Sequence, residues 1–329
     1  MKYLITGGTG FIGSALVKRL VKEDHSVRVF DNHFRGSADR LMNIAGKIDL
    51  VEGDIRDGEA VQKACEGMDI VCHLAFINGT ELFYTMPDLV LEVGVKGMIN
   101  VIDGCIKAGV KELLLLSSSE VYATPTVIPT DETVTLSIPD PLNPRYSYAG
   151  GKIISELMTI NYGRKYFDRA IIVRPHNVYG PDMAWEHVIP QFVLRMKGIC
   201  SNTKDKKVDF QIQGTGQETR AFVFIDDFID GLMLILGKGK HLETYHIGTT
   251  EEISIKEVAD EVGKYFGREL TLVPGEPAKG GTLRRCPDIT KIKNLGYNPG
   301  VPFKKGLKIA AKWYDENAHK KATVGEELL

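Results

Sequence analysis

Tyr148 and Lys152 stand four residues apart in Tyr148-Ala149-Gly150-Gly151-Lys152, just ahead of the helical stretch Ile153 to Tyr162. If the helix takes in both, their side chains lie one above the other on one face. A lysine ammonium beside a phenol favours the phenolate. Bringing tyrosine from about 10 toward neutrality corresponds to roughly 4 kcal/mol. The pair therefore reads as a proton-abstracting base, Tyr148, with its activating cation. Alone, Y-x-x-x-K is also what an ordinary surface helix shows, so its weight comes from companions. One is Leu113-Leu114-Leu115-Leu116, which runs directly into Ser117-Ser118-Ser119-Glu120-Val121-Tyr122.

The other companion is Thr6-Gly7-Gly8-Thr9-Gly10-Phe11-Ile12-Gly13, in which Gly7, Gly10 and Gly13 follow an apolar run and open a helical pattern. Glycines there permit a tight turn, close backbone approach to a pyrophosphate and close helix–sheet packing. The helix N-terminus adds unpaired N–H donors. Asp31 ends the second apolar run, where a carboxylate accepts from adenosine ribose hydroxyls and repels a 2′-phosphate, so NAD is expected over NADP despite Arg28 and Arg35 nearby. Asp54 follows the third run and reads either as an adenine-side contact or as a cap of the next helix. Phe11, Ile12, Asn32, Ile55, Leu74 and Ala75 complete the candidate cofactor lining.

These residues need a scaffold, and the hydrophobic pattern supplies one. Short apolar runs at Tyr3–Thr6, Val27–Phe30, Leu50–Val51, Ile70–Leu74, Leu113–Leu116 and Ala170–Val173 alternate with helical stretches such as Phe11–Val21. That alternation predicts an α/β fold, a Rossmann-type doubly wound parallel sheet. The expected division is a cofactor-binding domain over 1–175, with a return segment near 220–250, and a smaller C-terminal substrate-binding lobe over 176–329. Five prolines between Thr124 and Arg145 predict a long functional loop leading into Tyr148.

Composition sets the outer limits. The 329 residues are 43% hydrophobic and 26% charged, ordinary globular values. With 41 basic and 43 acidic residues the net charge is −2, which gives no general attraction to nucleic acid or an anionic membrane. The five cysteines are scattered without C-x-x-C spacing, and no metal-ligand cluster is evident, so no metal is expected. No apolar run reaches a membrane-spanning length, and the first residues are too briefly apolar for a signal peptide. A cytoplasmic protein is expected.

Taken together, the glycine turn, Asp31, Asp54, His73-Leu74-Ala75, Ser117–Tyr122, Tyr148/Lys152, Arg174–Pro181, Thr219–Phe222 and Arg284–Ile289 resemble the extended short-chain dehydrogenase/reductase superfamily, specifically its nucleotide-sugar epimerase/dehydratase branch. The resemblance implies oxidation of a sugar C4 hydroxyl by tightly held NAD. Tyr148 would take the proton, Ser118 orient the hydroxyl, and Lys152 bind the nicotinamide ribose. Ser119 would face the substrate, while Asn177 and Arg220, with Arg284 or Arg285, would hold the nucleotide diphosphate, an anion suited to an arginine fork. It also implies a homodimer.

Glu120 departs from plain C4 epimerases, and Ser118-Ser119-Glu120 resembles the Thr-Ser-Glu of uronic-acid decarboxylases and GDP-mannose dehydratases. It reads either as the base that removes the C5 proton beside a C4 ketone or as a structural or substrate contact. The leading expectation is C5-proton chemistry, meaning 4,6-dehydration or epimerisation. Net C4 oxidation, uronate decarboxylation and carbonyl reduction of a non-nucleotide substrate are the alternatives, and the sequence identifies no residue dedicated to a sugar carboxylate. Two further departures are Gly94, where relatives commonly carry asparagine, and Phe76, where alanine is common. His73 reads as scaffolding, His176 as packing or substrate contact, and His187 as a lobe-surface residue.

Overall fold

The structure is a computed structural model that describes residues 1–276 and 281–321. Strand β1 (Lys2–Thr6) leads through the glycine turn into α1 (Phe11–Lys22), then β2 (Ser26–Asp31), β3 (Ile48–Glu52), α2 (Gly58–Cys65) and β4 (Ile70–His73). Short helices α3 (Thr80–Thr85) and α4 (Pro87–Leu91) follow. A single π-helical turn over Glu92–Lys96 then feeds α5 (Gly97–Ala108), β5 (Glu112–Leu116), α6 (Tyr146–Tyr166) and β6 (Arg169–Pro175).

The remaining chain gives β7 (Val178–Tyr179), α7 (Val188–Asn202), β8 (Lys207–Gln211), β9 (Thr219–Ala221), β10 (Val223–Phe224), α8 (Ile225–Lys238) and β11 (Thr244–Ile247). After these come β12 (Glu252–Ser254), α9 (Ile255–Tyr265), β13 (Glu269–Val273), β14 (Arg284–Arg285), α10 (Thr290–Lys293) and α11 (Phe303–Glu316).

Seven strands form one sheet in the order β11-β6-β5-β4-β1-β2-β3, every pair parallel. Thr6 is level with Phe30 and with His73, and Leu116 with Val173, so the carboxyl ends of the strands form one edge. The order reverses between β1 and β4, which is where an open parallel sheet leaves a crevice for a ligand. The central strands are buried on both faces, consistent with their near-continuous apolar runs: Leu4, Ile5, Val71, Cys72, Leu114 and Leu115 are all essentially inaccessible.

Segments after β6 build three small sheets: β10 with β7, β13 with β8, and β9 between β12 and β14. The Pro-rich stretch between β5 and α6 has no long element and is sewn to the chain before α10. Thr130 N donates to Cys286 O at 2.9 Å, and Asp288 N donates to Thr130 O at 2.7 Å. No helix among the described residues is long and apolar enough to cross a membrane.

Candidate active site

The crevice is a cleft of about 620 Å³ running from the glycine turn to β9 and β14. At the turn, Gly7 has φ +73°, and a Cβ on it would sit 2.7 Å from Ala75 N. A Cβ on Gly13 would strike Gly7 O and come within 2.8 Å of Gly8 Cα. Gly10 caps α1 without any side-chain bond, so the first N–H groups of the helix are left for an anion. This cradle fits a pyrophosphate because any side chain would fill it.

Asp31 lies at the end of β2 with its carboxylate accepting from Thr9 N (2.9 Å) and His33 N (2.8 Å). The nearby arginines are committed elsewhere. Arg28 binds Asp49 (2.6 Å), Arg40 forks onto Asp182 (2.9 and 3.0 Å), and Arg35 pairs with Glu186. Among the described residues these guanidiniums are taken up by carboxylates and do not favour a 2′-phosphate, so the site fits NAD. Asp54 is not the helix cap: Asp57 takes that place, accepting from Glu59 N and Ala60 N. Asp54 instead holds Arg56 and Asn32 at the cleft wall, and the Arg56 hydrogen bond keeps its carboxyl below the ordinary range. Ile55, Leu74, Ala75, Phe11 and Ile12 line the same wall.

Helix α6 includes both Tyr148 and Lys152, one turn apart as the spacing predicts. The ammonium, however, is turned toward the backbone. Lys152 Nζ donates to Leu116 O at 2.6 Å and lies 4.0 Å from the centre of the Phe76 ring, against 5.9 Å from the Tyr148 ring. Burial pushes the Tyr148 phenol above its ordinary value, with a Ser118 hydrogen bond working the other way. Burial also brings Lys152 down to about 7 while Glu156 opposes it. The phenol is therefore governed by desolvation in the apolar packing of Phe76 and Phe83, the latter stacked on Tyr148 with centroids 4.7 Å apart, and not by the lysine expected to lower it.

Ser118 caps the turn Ser119–Tyr122 by accepting from Glu120 N at 3.1 Å, which fixes Glu120 facing the cleft. There its carboxylate is clamped between two guanidiniums. Arg285 pairs with Oε1, and Arg145 lies 3.3 Å from Oε2. Burial raises the Glu120 carboxyl, but Arg285 and Arg145 outweigh that and hold it at about 2. Arg285 is brought in by the stitching of the Pro-rich loop, and it also donates to Thr282 Oγ1 at 3.1 Å. Ser119 and Arg220 line the same region, as does Asn177, whose buried Nδ2 has no partner among the described residues.

Some expectations need correction. Arg284 does not enter the cleft; it is exposed and forks onto Glu252 at 2.6 and 2.7 Å, because neighbours on a strand point to opposite sides. His187 is not a lobe-surface residue but lines the cleft. His73 meets Thr6 Oγ1 at 2.8 Å as scaffolding, and His176 is buried against His246 rather than lining the cleft. Arg145 and Phe76 were not singled out as site residues. Arg145 lies three residues before Tyr148, a spacing that marks a shared helix face.

A model of the NAD dependent epimerase/dehydratase family matches residues 3–248. The chain is 30% identical to the UDP-N-acetyl-alpha-D-glucosaminuronate decarboxylase of Bacillus cytotoxicus, over 95% of this chain and 97% of that one. It is also 30% identical to the dTDP-D-glucose 4,6-dehydratase of Bos taurus, over 97% and 90%. Among solved structures, the dTDP-glucose 4,6-dehydratase of Streptomyces venezuelae with NAD bound superposes with a TM-score of 0.86 at 29% identity, covering 98% of this chain and 100% of that one. The UDP-glucose 4-epimerase of Thermotoga maritima with UDP-glucose gives 0.84 at 27%, covering 97% and 100%.

Proposed function

The chain belongs to the NAD dependent epimerase/dehydratase family, and we propose that within it this protein oxidises C4 of a nucleotide-diphosphate uronate and releases the C6 carboxylate as carbon dioxide. The observation that carries this reading is the clamp on Glu120. A carboxylate held at about 2, with both oxygens engaged by arginines, is a weak base for a C5 proton, so elimination that starts at C5 is disfavoured. The same two guanidiniums keep donors that Glu120 does not take, Arg285 Nε having no partner among the described residues, and these suit a carboxylate on the sugar. Asn177 and Arg220 are then the residues left for the diphosphate.

Tyr148 would take the C4 hydroxyl proton once the cationic nicotinamide of bound NAD, with Lys152, offsets the burial that raises its phenol, while Ser118, hydrogen-bonded to it, orients that hydroxyl. NAD, held by the glycine turn and Asp31, supplies the hydride acceptor for the oxidation and the hydride donor for the return. In a uronate the C4 ketone makes a β-keto acid. The C5–C6 bond breaks, its electron pair moves into the C4 carbonyl as an enolate, and carbon dioxide leaves without any base at C5. Tyr148, now protonated, and Ser118 donate to the enolate oxygen, and a solvent proton completes C5. Arg145 and Arg285 hold the carboxylate until it departs.

The B. cytotoxicus relative, named for decarboxylation of a nucleotide uronate, supports this choice. The test is mass spectrometry of UDP-glucuronate, UDP-N-acetylglucosaminuronate, UDP-glucose and dTDP-glucose incubated with the enzyme in deuterated water. Loss of carbon dioxide from a uronate with gain of one deuterium is expected. Loss of water from a neutral sugar would overturn the reading and return Glu120 to the role of C5 base.

A further inference from the structure

The two departures from the family pattern, Phe76 and Gly94, touch each other. A Cβ on Gly94 would come within 2.7 Å of Phe76 Cε2, and one on Gly151 would lie 3.0 Å from Phe76 Cζ. The ring fills a notch that exists because both positions lack a side chain. Gly94 sits in the π-helical turn ahead of α5, and Gly151 immediately precedes Lys152 on α6. From that notch the ring presents its face to Lys152 Nζ at 4.0 Å and its edge to Tyr148, with centroids 5.1 Å apart at 82°.

We propose that Phe76, seated in the notch left by Gly94 and Gly151, is a positioning residue that holds the Lys152 ammonium beside Tyr148 through its π face. An ammonium has three donors, and Leu116 O takes one. At 3% exposure Lys152 has little access to water, so a ring face is an uncharged partner that still favours the cation. The titratable groups facing the ammonium among the described residues are Glu156 one turn on and Tyr148 one turn back on α6, with His73 at the end of β4. Burial keeps His73 neutral at about 3, and Glu156 is already bound by Arg174. Phe76 therefore adds cation stabilisation beyond what Glu156 supplies, in an amine that burial brings down to about 7.

The test reads Lys152 directly and does not depend on the sugar substrate, so it stands apart from the decarboxylase reading. In NAD-loaded protein carrying lysine labelled with carbon-13 at Cε, the Lys152 signal is assigned by its loss in Lys152→Arg and followed against pH. Phe76→Leu is expected to bind the Lys152 proton about tenfold more weakly, a shift of about one pH unit downward. Gly94→Ala, which displaces the ring without altering it, should shift in the same direction as Phe76→Leu. A Phe76→Leu titration that overlays the wild type overturns the proposal. Should Phe76→Leu fail to fold by circular dichroism, the same overlay in Gly94→Ala overturns it.

Discussion

Glu120 and Arg285, 165 residues apart in the chain, form an ion pair inside the cleft, and Arg145 closes on the other carboxylate oxygen. If this fork receives a sugar carboxylate, replacing Arg145 by lysine keeps the charge but loses planar, bidentate recognition. A lost charge-assisted bond of about 1.5–3 kcal/mol corresponds to roughly ten- to hundredfold weaker UDP-glucuronate binding. UDP alone, which carries no sugar carboxylate, should bind Arg145→Lys within about threefold of the wild type by titration calorimetry, on the scale where about 1.4 kcal/mol is tenfold. Equal losses for both ligands would place Arg145 on the diphosphate instead.

The same clamp makes a prediction for acid stability. The Glu120 carboxyl is held below its ordinary 4.5 at about 2, so its contribution is complete above pH 4.5 and is lost as pH falls toward 2. Glu120→Gln removes that dependence. The difference in melting temperature between wild type and variant is therefore expected to be largest at pH 5 and above and to shrink steadily below 4.5. A difference that stays constant down to pH 3 would show that the carboxylate is not held by its arginines in solution.

The cofactor end was legible because its chemistry is local. Gly7, Gly10 and Gly13 are dictated by one turn, and Asp31 by the end of one strand. Tyr148 and Lys152 share one helix, so four residues of spacing sufficed. The substrate end depends on long-range stitching. Which of Arg284 and Arg285 enters the cleft follows from the face that β14 turns inward, set by its pairing with β9 and by the Thr130–Cys286 hydrogen bond, and adjacent residues in one sequence do not reveal that. Phe76 and Gly94 looked like two unrelated departures because they are 18 positions apart, and only packing shows one ring filling the space of one missing side chain. His187 was misplaced for a similar reason: polar and aromatic neighbours at Trp185 and Glu186 look like a surface, yet Glu186 is drawn inward by Arg35.

Behind the serine segment lies a buried ion pair whose loss should be costly. Arg174 donates to Glu156 Oε1 at 2.9 Å and Oε2 at 2.6 Å, and Ser117 and Tyr122 complete the network. The two side chains are 6% and 2% exposed. Arg174→Met leaves an uncompensated buried carboxylate, and a loss of about 3–5 kcal/mol is expected in urea denaturation. Adding Glu156→Leu should recover part of that loss, since an apolar pair of similar volume removes the stranded charge. A single-variant loss below about 1 kcal/mol would mean that water reaches Glu156.

Helix α6 leaves large apolar side chains exposed on its outward side. Its inner face carries Tyr148, Lys152, Ser155 and Glu156 into the cleft and core, while Ile154 and Leu157, three residues apart, are exposed on its outward side and Tyr162 and Tyr166 are exposed toward its end. Neighbouring α5 adds Ile99, 42% exposed. If a second copy of the chain covers these residues, two such helix pairs related by a twofold axis bury each other's apolar side chains. Light scattering coupled to size exclusion should give twice the chain mass for the wild type. Leu157→Arg, one turn from Ile154 on the outward side and 55% exposed, should then weaken dimerisation at least tenfold, equivalent to about 1.4 kcal/mol. A Leu157→Arg protein that stays dimeric at the same concentrations would move the interface away from α6.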